Sequence, residues 1–261
     1  MLKKAKFPKY IILAIAVAGI LVAGFFVYKR AFSKEAVLDQ NKAELPIAKT
    51  VKPISATVSS SPTTTAETKI VQEAPAELNL EVPFTSQAPM ANWDRTHEEA
   101  CEEAAVLMAN RFFRGESISG SEDAERGLQD IIDWENKNLG FFESTTAQET
   151  TRVIEEMLGL KTEIVFNPKS EDIKNAIANN KLVIVPSAGR ELGNPFYKAP
   201  GPLYHMLLIK GYTVDKFITN DAGTKRGENY PYEVETVLSA NHDWNGGDVE
   251  SGKRVIIIVS K

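Results

Sequence analysis

The single cysteine of the chain, Cys101, is the residue whose chemistry stands out first. Apolar residues recur at helical spacing just after it, which predicts a helix containing Ala104, Leu107, Met108 and Phe112. The first turn of a helix presents unpaired N–H groups and the positive end of the helix dipole, so a thiolate is favoured there. A thiolate is a nucleophile. The alternative is that Cys101 is a small buried apolar residue, as free cysteines often are.

The helix around Cys101 is expected to begin at Thr96, because Thr96 followed by Glu99 matches a capping box. Several carboxylates lie in its first turns, where they complement the helix dipole. A carboxylate that faced the sulfur would oppose the thiolate, so we expect these side chains to point away from Cys101. They are Glu98, Glu99, Glu102 and Glu103.

A nucleophilic cysteine needs a base, and the chain has three histidines. His97 is close enough in sequence to touch the thiol, but it is expected to be a solvated residue of the first helical turn. His242 follows Asn241 in a polar, turn-rich loop and is expected at the surface. His205 differs from both, because it lies at the start of an apolar run, residues 204–212, that predicts a buried strand.

A third residue could orient His205. The short connection between residues 212 and 217 predicts a hairpin whose second strand returns Asn220 and Asp221 toward the His205 end. Only one of these two can face the imidazole, because side chains alternate along a strand. A carboxylate or amide on one ring nitrogen leaves the other free to take a thiol proton. Each residue alone also fits a purely structural role, but the set favours nucleophilic catalysis.

The first segment of the chain predicts a membrane anchor. Residues 10–28 contain no charge, and a helix of this length would span roughly 28 Å, the thickness of a bilayer core. Basic residues are slightly more numerous before this run than after it, which predicts a cytoplasmic tail at residues 1–9 and the rest of the chain outside the cytoplasm. A cleaved signal peptide is the alternative, although the apolar run is long for one.

The rest of the chain divides into a linker and one domain. Residues 29–77 are rich in Pro, Ser and Thr toward their end and are predicted to be a disordered linker, and residues 78–261 are predicted to fold. The net charge of −5 becomes more negative once the basic first segment is set aside, which argues against nucleic-acid binding. One cysteine and scattered histidines do not form a metal-ligand set, so no metal or cofactor is expected.

Helical patterns lie in the first half of the predicted domain and strand patterns in the second, which predicts an α+β fold. Helices are expected at residues 122–138, 146–158, from 170, and 233–240. Strands are expected at residues 78–82, 164–166, 182–185, 204–212, 217–219 and 254–259.

Four of these segments together resemble the C39-like family of papain-fold cysteine peptidases: residues 82–87 (VPFTSQ), 100–105 (ACEEAA), 204–212 (YHMLLIKGY) and 220–223 (NDAG). The resemblance implies that Cys101 is the nucleophile, His205 the base and Asp221 the residue that orients it. It also implies that Gln87 donates its amide to an oxyanion hole.

The expected function is therefore a membrane-anchored, extracytoplasmic cysteine hydrolase that cleaves peptide bonds in a peptide or protein substrate. Two alternatives remain open at this stage. One is a related amide hydrolase that acts on cell-wall peptide. The other is a non-catalytic binding module on a degenerate peptidase fold. No oligomeric state follows from the sequence.

Overall fold

The structure is a computed structural model that describes residues 9–50 and 74–261, with part of the first segment described by its backbone alone. Two compact units are present, Met1–Glu44 and Leu45–Lys261. The first contains one helix, α1, at Lys9–Ala43. Most of the predicted membrane span lies outside the residues whose side chains are described, as does the basic tail. Among those that are described, no helix combines the length and apolar character needed to cross a bilayer.

Helix α1 extends beyond the predicted start of the linker. Residues 29–43 are helical instead of disordered, because they contain no proline or glycine and are rich in good helix formers such as Ala and Lys. Lys49, also expected in the linker, pairs with the domain: its N–H donates to the carbonyl of Asn79 at 2.8 Å. Residues 51–73 of the predicted linker lie outside the described residues.

The helices of the second unit gather in its first half, as expected. They are α2 (Arg95–Glu98), α3 (Cys101–Arg114), α4 (Ser121–Asn138), α5 (Ala147–Arg152) with a π-helical continuation at Val153–Met157, and α6 (Ser170–Ala178). Helix α7 (Val234–Ala240) and a 3-10 turn at Val249–Ser251 follow later. The predicted capping box of α5 is present, with Thr146 and Glu149 each bonding the other's backbone.

One antiparallel sheet forms the other half of the domain. Its strands are β1 (Leu78–Asn79), β2 (Lys161–Phe166), β3 (Leu182–Ala188), β4 (Tyr204–Tyr212), β5 (Lys216–Asn220), β6 (Tyr230–Glu233) and β7 (Val255–Ser260). The order across the sheet is β2-β7-β3-β4-β5-β6, and β1 pairs with the far end of β4. Both central strands β3 and β4 are buried along their whole length, so the sheet centre is part of the core.

The α+β prediction is confirmed as a mixed fold of helices and an antiparallel sheet. Strand β4 has the predicted bounds, and the hairpin to β5 pairs Tyr212 with Phe217. Strand β6 was not predicted, because Pro231 interrupts its pattern. Because β6 is an edge strand of the sheet, it tolerates a proline, which has no N–H to donate to a neighbouring strand.

The candidate site lies where α3 meets β4. The inner face of α3 consists of small and apolar residues that are fully buried, including Ala104, Ala105 and Met108. Because several of them are small, the helix can approach the sheet closely. Strand β5 then ends beside β4, and a tight loop follows it. That loop requires Gly227, because a Cβ there would lie 1.7 Å from the carbonyl oxygen of Asp221.

Candidate active site

Cys101 is the first residue of a helix, although that helix does not begin where the sequence predicted. The expected helix from Thr96 is split: α2 is capped by Asp94, whose carboxylate accepts from His97 N–H at 3.0 Å, and a break at Glu99 and Ala100 separates it from α3. Asp94 is the N-cap in place of Thr96, in line with the stronger preference for aspartate at this position. Cys101 is therefore placed at the helix end where backbone N–H groups have no intrahelical partner.

The Cys101 thiol is buried and contacts the carboxyl group of Glu102. Its exposed fraction is 4%, and Sγ donates to Glu102 Oε2 at 2.9 Å. Burial raises the pKa of the thiol well above its ordinary value, and Glu102 raises it further, while a backbone hydrogen bond from Met206 acts in the opposite direction. That last contact places the sulfur beside β4, at the residue that follows His205.

The prediction that the nearby glutamates point away from the sulfur is wrong for Glu102. Both Glu102 and Glu103 are buried, because α3 packs on the sheet immediately at its first turn. Behind them lies Glu135 of α4, which is also buried. Burial raises the pKa of Glu135 to about 8, and burial together with Glu135 raises the pKa of Glu103 well above its ordinary value. These carboxyls lack basic partners among the described residues, so protonation is the way in which their burial is tolerated.

His205 and Asp221 are in direct contact. Nε2 of His205 lies 2.8 Å from Oδ1 of Asp221, and the two side chains are 1% and 0% exposed. Of the two residues considered from the sequence, Asp221 is the one that contacts the imidazole. Asn220 faces the other side, where its amide donates to the carbonyls of Val82 and Pro83 at 3.3 and 3.2 Å.

Asp221 accepts further hydrogen bonds that the sequence did not predict. Its Oδ2 accepts from Tyr197 and Tyr232 hydroxyls at 2.7 and 2.6 Å and from the Asn194 amide at 2.9 Å, and its Oδ1 accepts from Gly223 N–H at 2.9 Å. Burial alone would raise the pKa of Asp221. The contacts with His205 and the tyrosines outweigh burial, so the pKa is lowered and the group is a carboxylate at neutral pH.

Tyr197 also restricts the imidazole itself. Its ring meets His205 edge-on with centroids 5.4 Å apart. Gly223 leaves room for both rings, because a Cβ at that position would lie 2.8 Å from the Tyr197 ring and 3.0 Å from Cε1 of His205. The imidazole is thus held on one nitrogen by Asp221 and on one edge by Tyr197.

The other two histidines lie outside this contact. His97 is 7% exposed instead of solvated, because Asp94 binds its Nδ1 at 2.7 Å and Glu125 of α4 binds its Nε2 at 3.0 Å. Burial lowers the pKa of His97, but the two carboxylates outweigh this and the pKa is raised. His242 was expected at the surface and is half-buried, with Nδ1 3.0 Å from the carbonyl of Gly252.

A cleft of about 360 Å³ is lined in part by Gln87 and Gly223. Its lining also includes residues of the segment that precedes α3, the helix that begins with Cys101, and of the turn that precedes β4, the strand that contains His205. Its other lining residues include charged and aromatic side chains: Glu98, Glu99, Lys198, Trp93, Tyr197, Tyr204 and Trp244.

Residues 79–246 match the Peptidase_C39 like family, and this range includes all four segments on which the resemblance rests. The chain belongs to this family. A solved structure also matches the C39-like chain: the crystal structure of a "putative C39-like peptidase" from Bacillus anthracis, with a TM-score of 0.48, 12% identity, and coverage of 72% of this chain and 98% of that one. A search of curated proteins returned no match.

Among the residues to which the C39-like resemblance assigns a role, Gln87 is the one whose geometry departs from that role. Its Nε2 donates to the carbonyls of His97 and Glu98 at 2.8 and 3.0 Å, so both amide protons are engaged with the chain. Its Oε1 is buried without a hydrogen-bond partner among the described residues. Gln87 nevertheless lines the cleft, and its backbone N–H is held by the carbonyl of Ala222 at 2.9 Å.

The residues around Asp221 in this C39-like chain carried no sequence signal. Asn194, Tyr197 and Tyr232 lie 11 to 27 positions from Asp221, in a loop and an edge strand without periodicity. Only the pairing of β6 with β5 brings Tyr232 to the site. Within residues 9–50 and 74–261, no group of three or more His, Cys, Asp or Glu side chains could hold a metal ion.

Proposed function

We propose that this C39-like protein is a cysteine peptidase that cleaves peptide bonds with Cys101 as nucleophile, His205 as general base and Asp221 as the orienting carboxylate. The observation that carries the proposal is the 2.8 Å contact between His205 Nε2 and Asp221 Oδ1, next to a helix whose first residue is the only cysteine. Membership of the C39-like family supports the same chemistry.

The contact with Asp221 determines which nitrogen of His205 can act. A carboxylate at Nε2 keeps the proton there, so the lone pair of the neutral ring is on Nδ1. Nδ1 takes the thiol proton of Cys101, and the resulting thiolate attacks the carbonyl carbon of the scissile peptide. The imidazolium returns its proton to the leaving amine, which leaves a thioester on the sulfur. Water then hydrolyses the thioester and regenerates the thiol.

The start of α3 supports stabilisation of the tetrahedral intermediate. The backbone N–H of Cys101 has no partner within the helix, which suits it to donate to the oxyanion. Gln87 is the second proposed donor. Because both of its amide protons are bound to carbonyls, this role requires the amide to turn toward the substrate. The sulfur must likewise leave Glu102 before it can donate to His205.

The test is hydrolysis of a diverse peptide library by the full chain and by Cys101→Ala, Cys101→Ser and His205→Ala variants. The proposal expects turnover by the unmodified chain and loss of at least 10³-fold in all three variants. Circular dichroism of each variant checks that the fold is retained. Turnover that persists in folded Cys101→Ala would disprove the mechanism. Purified peptidoglycan, digested in parallel, separates protein substrates from cell-wall peptide.

A second candidate function, a non-catalytic peptide-binding module, is favoured by one observation. Cys101 is 4% exposed and its thiol donates to Glu102, an arrangement that disfavours the thiolate. The rate of alkylation by iodoacetamide at neutral pH distinguishes the two. A nucleophile of the proposed kind reacts faster than free cysteine, whereas a structural thiol reacts more slowly.

We also propose that residues 10–28 anchor the protein in a membrane with the peptidase domain outside the cytoplasm. The uncharged run and the basic residues before it support this orientation. The full chain should remain with membranes after alkaline carbonate extraction, whereas a chain without residues 1–34 should not. Proteolysis of intact cells should remove the domain. Recovery of the full chain in the soluble fraction would contradict the proposal.

A further inference from the structure

The charges that line the cleft are not balanced. Glu98 is paired with Lys198, whose Nζ donates to Glu98 Oε1 at 2.8 Å. Glu99 also lines the cleft, and its carboxylate has no hydrogen bond or ion pair with any described residue. Lys198 is the only basic residue of the cleft lining that the structure describes, so the cleft retains one carboxylate without a basic partner.

The surroundings of Glu99 add to this deficit of positive charge. Its side chain is partly buried, and burial raises its pKa, as do the nearby carboxylates of Glu143 and Glu98. Arg95 lies close enough to act in the other direction, but its guanidinium already binds Glu143 with two contacts of 3.1 Å. A partly buried carboxylate in an acidic setting is stabilised by any cation that enters.

Aromatic rings are also among the residues that line the cleft. Trp93 is 43% exposed although it is a large apolar residue, and Trp244 stacks at a tilt on Tyr204 with centroids 5.5 Å apart. Tyr197 closes the cleft beside His205. Aromatic faces attract ammonium and guanidinium groups and also cover the apolar stem of a lysine or arginine side chain.

We infer that Glu99, together with Trp93 and Trp244, binds a cationic group of the substrate, an ammonium or a guanidinium. Glu99 precedes the proposed nucleophile by two residues, so the Cα atoms of Glu99 and Cys101 are at most about 7 Å apart. This inference rests on the proposed peptidase function, because it takes the bound cation to be part of a peptide substrate. The binding preference itself can be measured without turnover.

The test measures binding of peptides to the full-length chain carrying Cys101→Ala, so that no hydrolysis interferes. The probes are acetylated, amidated hexapeptides that carry a single lysine, placed at each position in turn. Each lysine peptide is compared with two counterparts in which norleucine or arginine replaces the lysine. A matching peptide with a free amino terminus and no lysine shows whether the site binds an α-amine as well as a side-chain cation. Isothermal titration calorimetry gives each Kd.

The expected result is that lysine or arginine at one position binds at least about fivefold more tightly than norleucine, as a well-placed ion pair provides. Adding Glu99→Gln should abolish that preference without weakening the norleucine peptide. The matched control is Glu98→Gln combined with Lys198→Gln, which removes the ion pair of the same wall without changing its net charge. It should leave the preference intact.

Three results would overturn the inference: no position that prefers a cation, a preference that survives Glu99→Gln, or an equal loss in Glu99→Gln and in the control that carries both Glu98→Gln and Lys198→Gln. None of these depends on catalysis. If the unmodified chain hydrolyses peptides without regard to charge, the inference fails and the peptidase function stands. If a Glu99-dependent preference is measured but no peptide is cleaved, the inference stands and the peptidase function fails.

Discussion

His205 on β4 and Asp221 after β5 are joined by a 2.8 Å hydrogen bond in the buried interior of the domain. The hairpin between the two strands creates this contact, because antiparallel pairing places Asn220, the last residue of β5, opposite Leu208, and Asp221 follows it toward the start of β4. Three further side chains donate to the same carboxylate, so the orientation of Asp221 is defined before any substrate binds.

The Asp221 contact predicts different losses for two substitutions. Asp221→Ala removes the acceptor for His205 Nε2, so kcat should fall about 10²- to 10⁴-fold. Asp221→Asn retains an acceptor oxygen and should lose less, although the three donors at Oδ2 fit an amide less well than a carboxylate. Steady-state kinetics measures both. Tyr232→Phe, which deletes one donor only, is the control and should have the smallest effect.

Glu102 is expected to suppress the reactivity of the Cys101 thiol. Glu102→Gln removes the carboxyl group that lies 2.9 Å from Sγ and raises the thiol pKa, so the thiol pKa should fall. Alkylation should accelerate most above the raised pKa of Glu102, where that carboxyl is ionised in the unmodified protein. Each unit of decrease gives about a tenfold rise in rate while the pH stays below the pKa. Glu103→Gln, one residue further along α3, should have a smaller effect. An unchanged pH profile of alkylation in Glu102→Gln would contradict this explanation.

Glu135 predicts a loss of stability with rising pH. The folded protein holds the Glu135 proton up to about pH 8, whereas the unfolded chain releases it near pH 4.5. Between these values the unfolded state binds fewer protons, so the free energy of unfolding falls as pH rises, by at most about 1.4 kcal/mol per pH unit. Glu135→Gln should flatten this slope and stabilise the domain most at pH 8.

Urea unfolding of the two proteins between pH 5 and pH 8 measures the Glu135 effect. Glu122→Gln is the control, because Glu122 is an exposed carboxylate on the same helix. It should leave the slope unchanged. Glu102 and Glu103 face the same region and are also buried with raised pKa values, so a residual slope is expected in Glu135→Gln. A slope identical to that of the unmodified protein would be inconsistent with a protonated Glu135.

His97 predicts a second pH-dependent contribution. Its ion pairs with Asp94 and Glu125 raise its pKa above the ordinary value of 6.5. Their stabilisation is therefore fully present below about pH 6.5 and is lost as pH rises through the raised pKa. Glu125→Gln should lower the His97 pKa, which NMR titration measures directly. Arg152→Gln, remote from His97 in a surface pair with Glu156, should leave it unchanged.

The elements of the fold could largely be predicted from the chain because their signals are local. The apolar run of β4 predicted the strand with its bounds, and the periodicity of α4 predicted a helix to within one residue. Strand β6 was missed because Pro231 hides its pattern. The split between α2 and α3 was missed because Asp94, a competing cap, lies just before the predicted one.

The candidate residues followed from residue types and order along the chain, but their surroundings did not. Cys101 at a helix start, His205 in an apolar strand and an acid after the returning strand are properties of short segments. Which of Asn220 and Asp221 meets the imidazole depends on the register of β4 against β5, a long-range property. The contact of Glu102 with the sulfur depends on how α3 packs on the sheet, because packing decides which first-turn side chains are buried. The donors around Asp221 come from loops and an edge strand that meet only in three dimensions.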